Sequence, residues 1–305
     1  VRGAYPPGST IKPMLALAAL EKNATNLTRK TVCHGYFQLP NDDHRYRDWK
    51  PEGHGPVDLH DAIAQSCDVY FYEISGDIGI DTMHDYLTRF GLGSETGVDI
   101  GGESSGLVPS REWKRNNFSD RDNQRWYHGE TVIVSIGQGY MLATPLQLAS
   151  AAAALATRGK RYRPHMIAAV EDALTGERRM VQPERLPDVE ISNDFYWENV
   201  LGAMHDVMQG PRGTARAVGF GAPYEMAGKS GTAQVVSIAQ DEKYDDAELE
   251  ERQRDHALFI AFAPLDEPRI AVALIVENGE SGSGVAAPIA KAVMDAYLGY
   301  GDDAP

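Results

Sequence analysis

The apolar positions of the chain fall into a few readable runs. Ile11 through Leu20 carries alanine and leucine at helical spacing directly after Pro6-Pro7-Gly8, which predicts a turn feeding a helix that begins near Ser9. Leu142 to Thr157 is also apolar, but Pro145, Gln147 and Ser150 interrupt it and it is too short to span a bilayer. It predicts a buried helix. Ala257 to Pro264 and Arg269 to Glu277 alternate or run apolar at strand length, consistent with adjacent antiparallel strands beside a third segment, Lys229-Ser230-Gly231-Thr232-Ala-Gln-Val-Val. Gln240 to His256 is dense in Asp, Glu, Lys and Arg and reads as a solvated loop or helix.

Laid on these elements, three short polar segments suggest a chemistry. Ser9 and Lys12 are three residues apart, on one face of the first helix, and no other serine in the chain has a lysine at that spacing. A serine hydroxyl is a weak nucleophile until a neighbour takes its proton, and a lysine does so only when burial and nearby charge depress its pKa. Alone, the pair reads more readily as a capping serine and a solvated lysine. Ser66-Cys67-Asp68 precedes Val-Tyr-Phe-Tyr, so Ser66 sits on a loop or helix end, where it can shuttle protons or simply cap. Lys229 to Thr232 puts a lysine and two hydroxyls on a strand, a set suited to a carboxylate. Gly231 would let a substrate backbone approach, and the Thr232 amide is a candidate oxyanion donor. The plain alternative is an edge strand carrying an exposed lysine.

Taken in this order, the three segments match the serine-x-x-lysine, serine-x-asparagine-like and lysine-threonine-glycine-like motifs of penicillin-binding proteins and class A β-lactamases. Together with Tyr5-Pro-Pro-Gly-Ser9, Arg45-Tyr-Arg-Asp-Trp49, Ser135-Ile-Gly-Gln-Gly-Tyr140, Ala143-Thr-Pro-Leu-Gln147 and Ala227-Gly-Lys-Ser-Gly-Thr-Ala-Gln234, they make the chain resemble the transpeptidase domain of class B penicillin-binding proteins of the elongation-specific, penicillin-binding protein 2 type. The resemblance runs from about Tyr5 to about Leu298. It implies a mixed α/β (α+β) fold of the penicillin-binding protein/serine β-lactamase-like type: an antiparallel sheet flanked by helices, plus an all-α lobe. Residues 1–305 would form one domain, α-rich over 13–160 and mainly sheet over 161–305, ending in a helix from Ala286 to Leu298.

The implied activity is peptidoglycan D,D-transpeptidation. Ser9 would attack the penultimate D-alanine carbonyl of a stem peptide, release the terminal D-alanine and pass the acyl group to a neighbouring amine. The resemblance makes Lys12 the base, and Ser66 and Lys229 a relay to the leaving group. Lys229, Ser230 and Thr232 would hold the donor carboxylate, with the amides of Ser9 and Thr232 facing the oxyanion. β-Lactams would acylate Ser9 in place of the donor. Asp68 departs from the commoner asparagine: when ionised it accepts but cannot donate, a change also found in the elongation type. The chain has no glutamate-x-x-leucine-asparagine segment of the kind that positions hydrolytic water in class A β-lactamases, so a penicillin adduct should persist. A D,D-carboxypeptidase, a β-lactamase-like hydrolase and a penicillin-sensing or scaffold domain share these motifs.

The two cysteines, Cys33 and Cys67, bracket Asp48 and His54. Two thiolates, an imidazole and a carboxylate make a reasonable tetrahedral zinc set, and the elongation type resembles this in carrying zinc between the first two motifs. Such a site would be structural and would brace Ser66 and Asp68 from behind; His34 and His44 are alternative ligands. A Cys33–Cys67 disulfide or two free thiols fit the count as well.

Composition bounds the remainder. With 305 residues, 42% hydrophobic and 24% charged, the chain is long enough for a well-packed globular unit. Its net charge of −15 argues against non-specific nucleic-acid binding. There is no repeat, signal peptide or membrane span to read. Family members are anchored in the inner membrane with this domain in the periplasm, beside an elongation-machinery membrane glycosyltransferase. They normally have strands and a helix ahead of the first motif, so the expectation is that either another segment supplies those strands or the chain is a fragment. Gly137-Gln138-Gly139 lacks the third glycine of a phosphate loop and is expected beside the cleft.

Overall fold

The computed structural model describes residues 1–235 and 250–301. Residues 240–249 of the charged run lie outside the described residues, and the remainder of that run forms a short turn, Glu251–Gln253, ahead of a strand.

A 3₁₀ turn, Gly8–Ile11, runs directly into helix α1, Lys12–Glu21. Pro13 lies in the first turn of α1, where a missing amide costs nothing. Every residue from Lys12 to Leu20 is buried, as expected of a helix that is apolar on all sides and sits at the centre of a fold. Asn23 ends it in a left-handed conformation at φ 56°. The Ala24 amide reaches back to the Ala19 carbonyl at 2.9 Å and that of Asn23 to Leu20 at 3.1 Å, a Schellman cap.

Four three-residue strands follow: β1 (Thr31–Cys33), β2 (Tyr36–Gln38), β3 (Arg45–Arg47) and β4 (Gly55–Val57). β1 pairs with β4 and β2 with β3, both antiparallel. Strands this short carry too little alternation to be read as strands in a sequence. Helices α2 (Leu59–Ala64), α3 (Asp68–Ile78) and α4 (Ile80–Arg89) then pack on α1. Beyond them come α5 (Arg111–Asn117), α6 (Arg121–Gln124), α7 (His128–Val134) and α8 (Pro145–Ala156). α8 is the second apolar run. It opens with a capping box in which Thr144 Oγ1 accepts from the Gln147 amide at 3.2 Å and Gln147 Oε1 from the Thr144 amide at 2.9 Å.

Strands β5 (Arg161–Tyr162), β6 (Ala169–Glu171), β7 (Arg178–Met180) and β8 (Arg185–Leu186) form two ribbons, β5 with β8 and β6 with β7. Helices α9 (Asp194–Gln209) and α10 (Arg216–Gly219) lead to the main sheet of β9 (Ala227–Ala233), β10 (His256–Ala263) and β11 (Ile270–Val276). Its order is β11-β10-β9, antiparallel throughout. The strands of this sheet thus begin only at Ala227. α8 and the last helix, α11 (Ala287–Leu298), pack on it. β10 is buried from Ala257 to Ala263, as a central strand covered on both faces must be. β9 is an edge strand, and it meets the Gly8–Ile11 turn. No helix among the described residues is long and apolar enough to cross a membrane.

Candidate active site

The first segment occupies the 3₁₀ turn rather than regular helix. At three residues per turn, side chains at i and i+3 eclipse, which stacks Ser9 over Lys12. Gly8 makes the turn possible: its φ is +55°, and a Cβ there would lie 2.5 Å from the Thr232 carbonyl oxygen. Ser9 is half-buried and Lys12 fully buried.

The second segment sits between α2 and α3. Ser66 has φ +59°, a region that non-glycine residues enter at a cost and often at functional sites. The cause is another Schellman cap: the Ser66 amide bonds the Ile63 carbonyl at 3.2 Å and the Cys67 amide the Ala62 carbonyl at 2.9 Å. The cap turns the Ser66 side chain inward and lets α3 restart at Asp68.

These side chains converge on two lysines. Lys12 Nζ donates to Asp68 Oδ1 at 2.6 Å, to the Ser66 carbonyl at 2.9 Å and to Ser66 Oγ at 3.5 Å, and lies 5.3 Å from the centre of the Phe71 ring. Lys229 Nζ donates to Ser66 Oγ at 2.8 Å and to the Ser230 carbonyl at 2.9 Å. One hydroxyl therefore lies between two lysine nitrogens. Burial, and then the charge of Lys12, push Lys229 well below the ordinary lysine range. Burial lifts the Asp68 carboxyl, against the pull of the adjoining Lys12. Ser9 Oγ has no hydrogen-bond partner among the described residues, so Ser9 and Lys12 share a turn without a hydrogen bond between them.

The third segment lies on β9 with the two-residue period of a strand. Lys229, Gly231 and Ala233 are buried, whereas Ser230 is half-buried and Thr232 exposed. Gly231 does not leave room for a substrate: a Cβ on it would lie 2.8 Å from Thr10 Cγ2 and 3.1 Å from the Pro7 carbonyl. That space is taken by the Gly8–Ile11 turn itself. The Thr232 carbonyl accepts from Gln138 Nε2 at 2.9 Å, away from β10. In an antiparallel ladder a residue's N–H and C=O face the same side, so the Thr232 amide also faces the open edge, toward Ser9. The Ser9 amide belongs to the first turn, which no carbonyl of its own helix can reach.

Behind Ser66 lies the cysteine group. The ligand atoms of Cys33, Asp48, His54 and Cys67 all fall within 4.8 Å of one another. Cys33 Sγ is 3.5 Å from Asp48 Oδ2 and 3.5 Å from His54 Nδ1. Both thiols are free and buried, so the disulfide alternative is not formed. His34 and His44 are exposed and stand outside the group. Burial pushes both thiols up. Burial opposes the Asp48 carboxylate too, but His54, the Lys50 amide and Lys12 outweigh it and hold the group well below the usual range. Asp48 also reaches the second segment, since its Oδ2 accepts from the amides of Asp68 at 2.8 Å and Val69 at 3.2 Å. It thereby caps α3, and the Trp49 amide returns the contact to Asp68 Oδ2 at 3.1 Å.

Sequence reasoning missed three contributors. Asp48 was singled out as a ligand but not as the cap of α3. Thr214, on the loop after α9, bonds Ser230 Oγ through its own hydroxyl at 3.0 Å, and nothing local in the sequence marks it. Gln138 lies in a segment expected beside the cleft, and it does touch β9 there.

Comparison with known proteins agrees with this geometry. Residues 1–295 match the family model described as the penicillin binding protein transpeptidase domain. The chain is 47% identical over 302 residues to the peptidoglycan D,D-transpeptidase MrdA of Acinetobacter baumannii, covering 98% of this chain and 43% of that protein. It is 47% identical to the solved Pseudomonas aeruginosa PBP2 in complex with WCK 5153, with a TM-score of 0.85 over 100% of this chain and 63% of that one. A chain solved in a peptidoglycan synthase complex that coordinates polymerization and crosslinking is 31% identical, with a TM-score of 0.80 over 98% of this chain and 47% of its own length. This chain thus spans less than half the length of the curated relative it matches. It belongs to the penicillin-binding protein transpeptidase domain family.

Proposed function

We propose that the chain is the acylating domain of a peptidoglycan D,D-transpeptidase, with Ser9 as nucleophile. The observation that carries this reading is the convergence of two buried lysines on the Ser66 hydroxyl, directly behind a turn that presents a second serine to an edge-strand amide. Ser9 Oγ attacks the penultimate D-alanine carbonyl, and its proton passes to the neutral amine of Lys12, formed once Nζ has left a proton on the Asp68 carboxylate and turned from it toward Ser9. The Ser9 and Thr232 amides receive the oxyanion. As the C–N bond to the terminal D-alanine breaks, the leaving nitrogen takes a proton from Ser66, resupplied by Lys229. A lysine held below its ordinary range parts with a proton readily, as that role requires. Ser230, paired with Thr214, and Thr232 receive the donor carboxylate with Lys229. An amine on a second stem then attacks the acyl-enzyme and releases Ser9.

The four-residue group fits a structural zinc. Bonds of about 2.3 Å to sulfur and about 2.0 Å to nitrogen place tetrahedral ligand atoms about 3.5 Å apart, the spacing found around Cys33. Cys33, Asp48, His54 and Cys67 would hold the ion, which would supply rigidity rather than reactivity. Asp48 transmits that rigidity to α3 through the Asp68 and Val69 amides. Metal analysis of protein purified without added zinc tests this, and a metal-free sample with full thermal stability would refute it.

The same reading makes residues 13–160 and 161–305 two lobes of one domain, located in the periplasm of a protein anchored in the inner membrane. Its partner would be an elongation-machinery membrane glycosyltransferase, in line with the likeness to the synthase complex. Intact mass spectrometry after incubation with benzylpenicillin tests the nucleophile: a persistent single adduct is expected, absent in Ser9→Ala. Rapid turnover of the adduct would refute the reading in favour of a β-lactamase. An acceptor assay then separates cross-linked product from the water-only product of a carboxypeptidase, and acylation with neither would mark a sensor. Lys12→Ala acylating at the unchanged rate would remove Lys12 as base.

A further inference from the structure

Ser9 and Thr232 lie on different elements, 223 positions apart in the chain numbering, yet their two amides must converge on one oxygen within tenths of an ångström. Something has to fix the turn against the strand. The segment after α7 touches both. The Gly137 carbonyl accepts from the Gly8 amide at 3.0 Å, immediately before Ser9. The next side chain, Gln138, donates through Nε2 to the Thr232 carbonyl at 2.9 Å. Gln138 is 9% exposed, so this bond does not compete freely with water. Gly137 has φ +75°, and a Cβ on it would stand 2.2 Å from the Gly8 carbonyl oxygen and 2.8 Å from the Gly8 nitrogen. The backbone of the clamp therefore lies flush against the nucleophile turn.

We infer that Gly137-Gln138 is an oxyanion-hole clamp: Gln138 is a positioning residue that aims the Thr232 amide by holding the carbonyl of the same residue, while Gly137 holds the Ser9 turn in register with it. The inference rests on the transpeptidase reading. Gln138 touches no reacting atom. Its effect belongs to the step in which negative charge develops on the carbonyl oxygen, not to the first encounter with the ligand. A glutamine suits the task because its amide donates without carrying a charge. A carboxylate there would face the Thr232 oxygen with another acceptor.

The test is pre-steady-state acylation of the whole chain by a chromogenic cephalosporin, separating non-covalent affinity from the acylation rate constant. Gln138→Met keeps the length and removes the donor. It should slow acylation about 10-fold, a fraction of the ~10²–10³ that losing an oxyanion donor outright costs, with affinity and melting temperature close to wild type. Gln138→Glu should be slower still at neutral pH. It should recover relative to wild type as the pH falls and its carboxyl becomes a donor, a response that a packing role would not produce. Gln138→Met acylating at the wild-type rate overturns the clamp. So does a rate loss that simply follows lost thermal stability, with no recovery of Gln138→Glu in acid. If the wild-type chain itself is never acylated, the transpeptidase reading falls first and the clamp with it.

Discussion

Replacing Asp68 by asparagine separates what the carboxylate does for stability from what it does for chemistry. Lys12 is fully buried, and its ammonium lies 2.6 Å from Asp68 Oδ1. At that separation and an effective dielectric of about 20, the gross attraction is about 6 kcal/mol, most of it offset by the desolvation of both ions. Asparagine leaves a buried ammonium without a counter-ion, which ordinarily costs about 3–5 kcal/mol. The ammonium can escape by shedding its proton, and at pH 7 that costs an unperturbed lysine about 4.6 kcal/mol, which is the ceiling on the penalty. Asparagine also has one acceptor oxygen where Asp68 uses two, one for Lys12 and one for the Trp49 amide, so one of these donors loses its partner. Asp68→Asn should therefore lose about 3–4 kcal/mol in urea denaturation while retaining acylation by benzylpenicillin within about 10-fold, because a carbonyl still faces Lys12 and the ammonium can shed its proton without the carboxylate. An unchanged urea midpoint would show that the pair contributes nothing. Complete loss of acylation in a folded sample would make the carboxylate indispensable to the chemistry.

Lys229 makes a prediction with a definite sign. Its folded pKa is depressed, so between that value and about 10.4 the unfolded chain binds the additional proton, and this group makes stability rise with pH across that window. Lys229→Met should abolish acylation, flatten that rise and leave the fold more stable by about 1–2 kcal/mol at neutral pH; urea melts that keep the wild-type slope would count against a depressed lysine. Gly8→Ala adds a Cβ 2.5 Å from the Thr232 oxygen at φ +55° and should cost at least about 2 kcal/mol together with most acylation. A stable, fully reactive Gly8→Ala would disprove the close approach of turn and strand. Asp48→Ala strips the cap from α3 and removes one candidate zinc ligand. A drop of about 3 kcal/mol is expected, whereas Asp48→Asn, which still accepts from the α3 amides, should lose less. Equal losses in the two variants, read from thermal melts, would assign the whole effect to the metal group.

Short-range features were legible because they depend on nearest neighbours in the chain. The helix α1, the buried helix α8 and the apolar strands β10 and β11 follow from period and turn residues. Cys33, Asp48, His54 and Cys67 were recognisable as a possible ligand set from residue type and spacing, with the disulfide and the free thiols left open as lesser alternatives. The small strands β1 to β8 and the late start of the main sheet were not legible. Strands of two or three residues are held by their partners and have no pattern of their own. Ser66 illustrates the boundary well. Its place at a helix end was readable, but its left-handed backbone arises from a cap that forms only when α2 stops there.

The sequence by itself determined which groups are available: a serine and a lysine three residues apart, a second serine before an aspartate, and a lysine on a strand with two hydroxyls. Each is a local statement, settled by spacing and period. Only the tertiary structure decided which of them meet. Packing α1, α3 and β9 together brings Lys12 and Lys229 onto one Ser66 hydroxyl and so depresses one of them. It sets Gly231 against the Gly8–Ile11 turn, and it brings Gln138, Thr214 and Asp48 onto residues outside their own elements. Burial and long-range charge set a pKa, and a hydrogen bond across 94 positions holds a backbone carbonyl. Neither effect exists until the chain has closed around these groups.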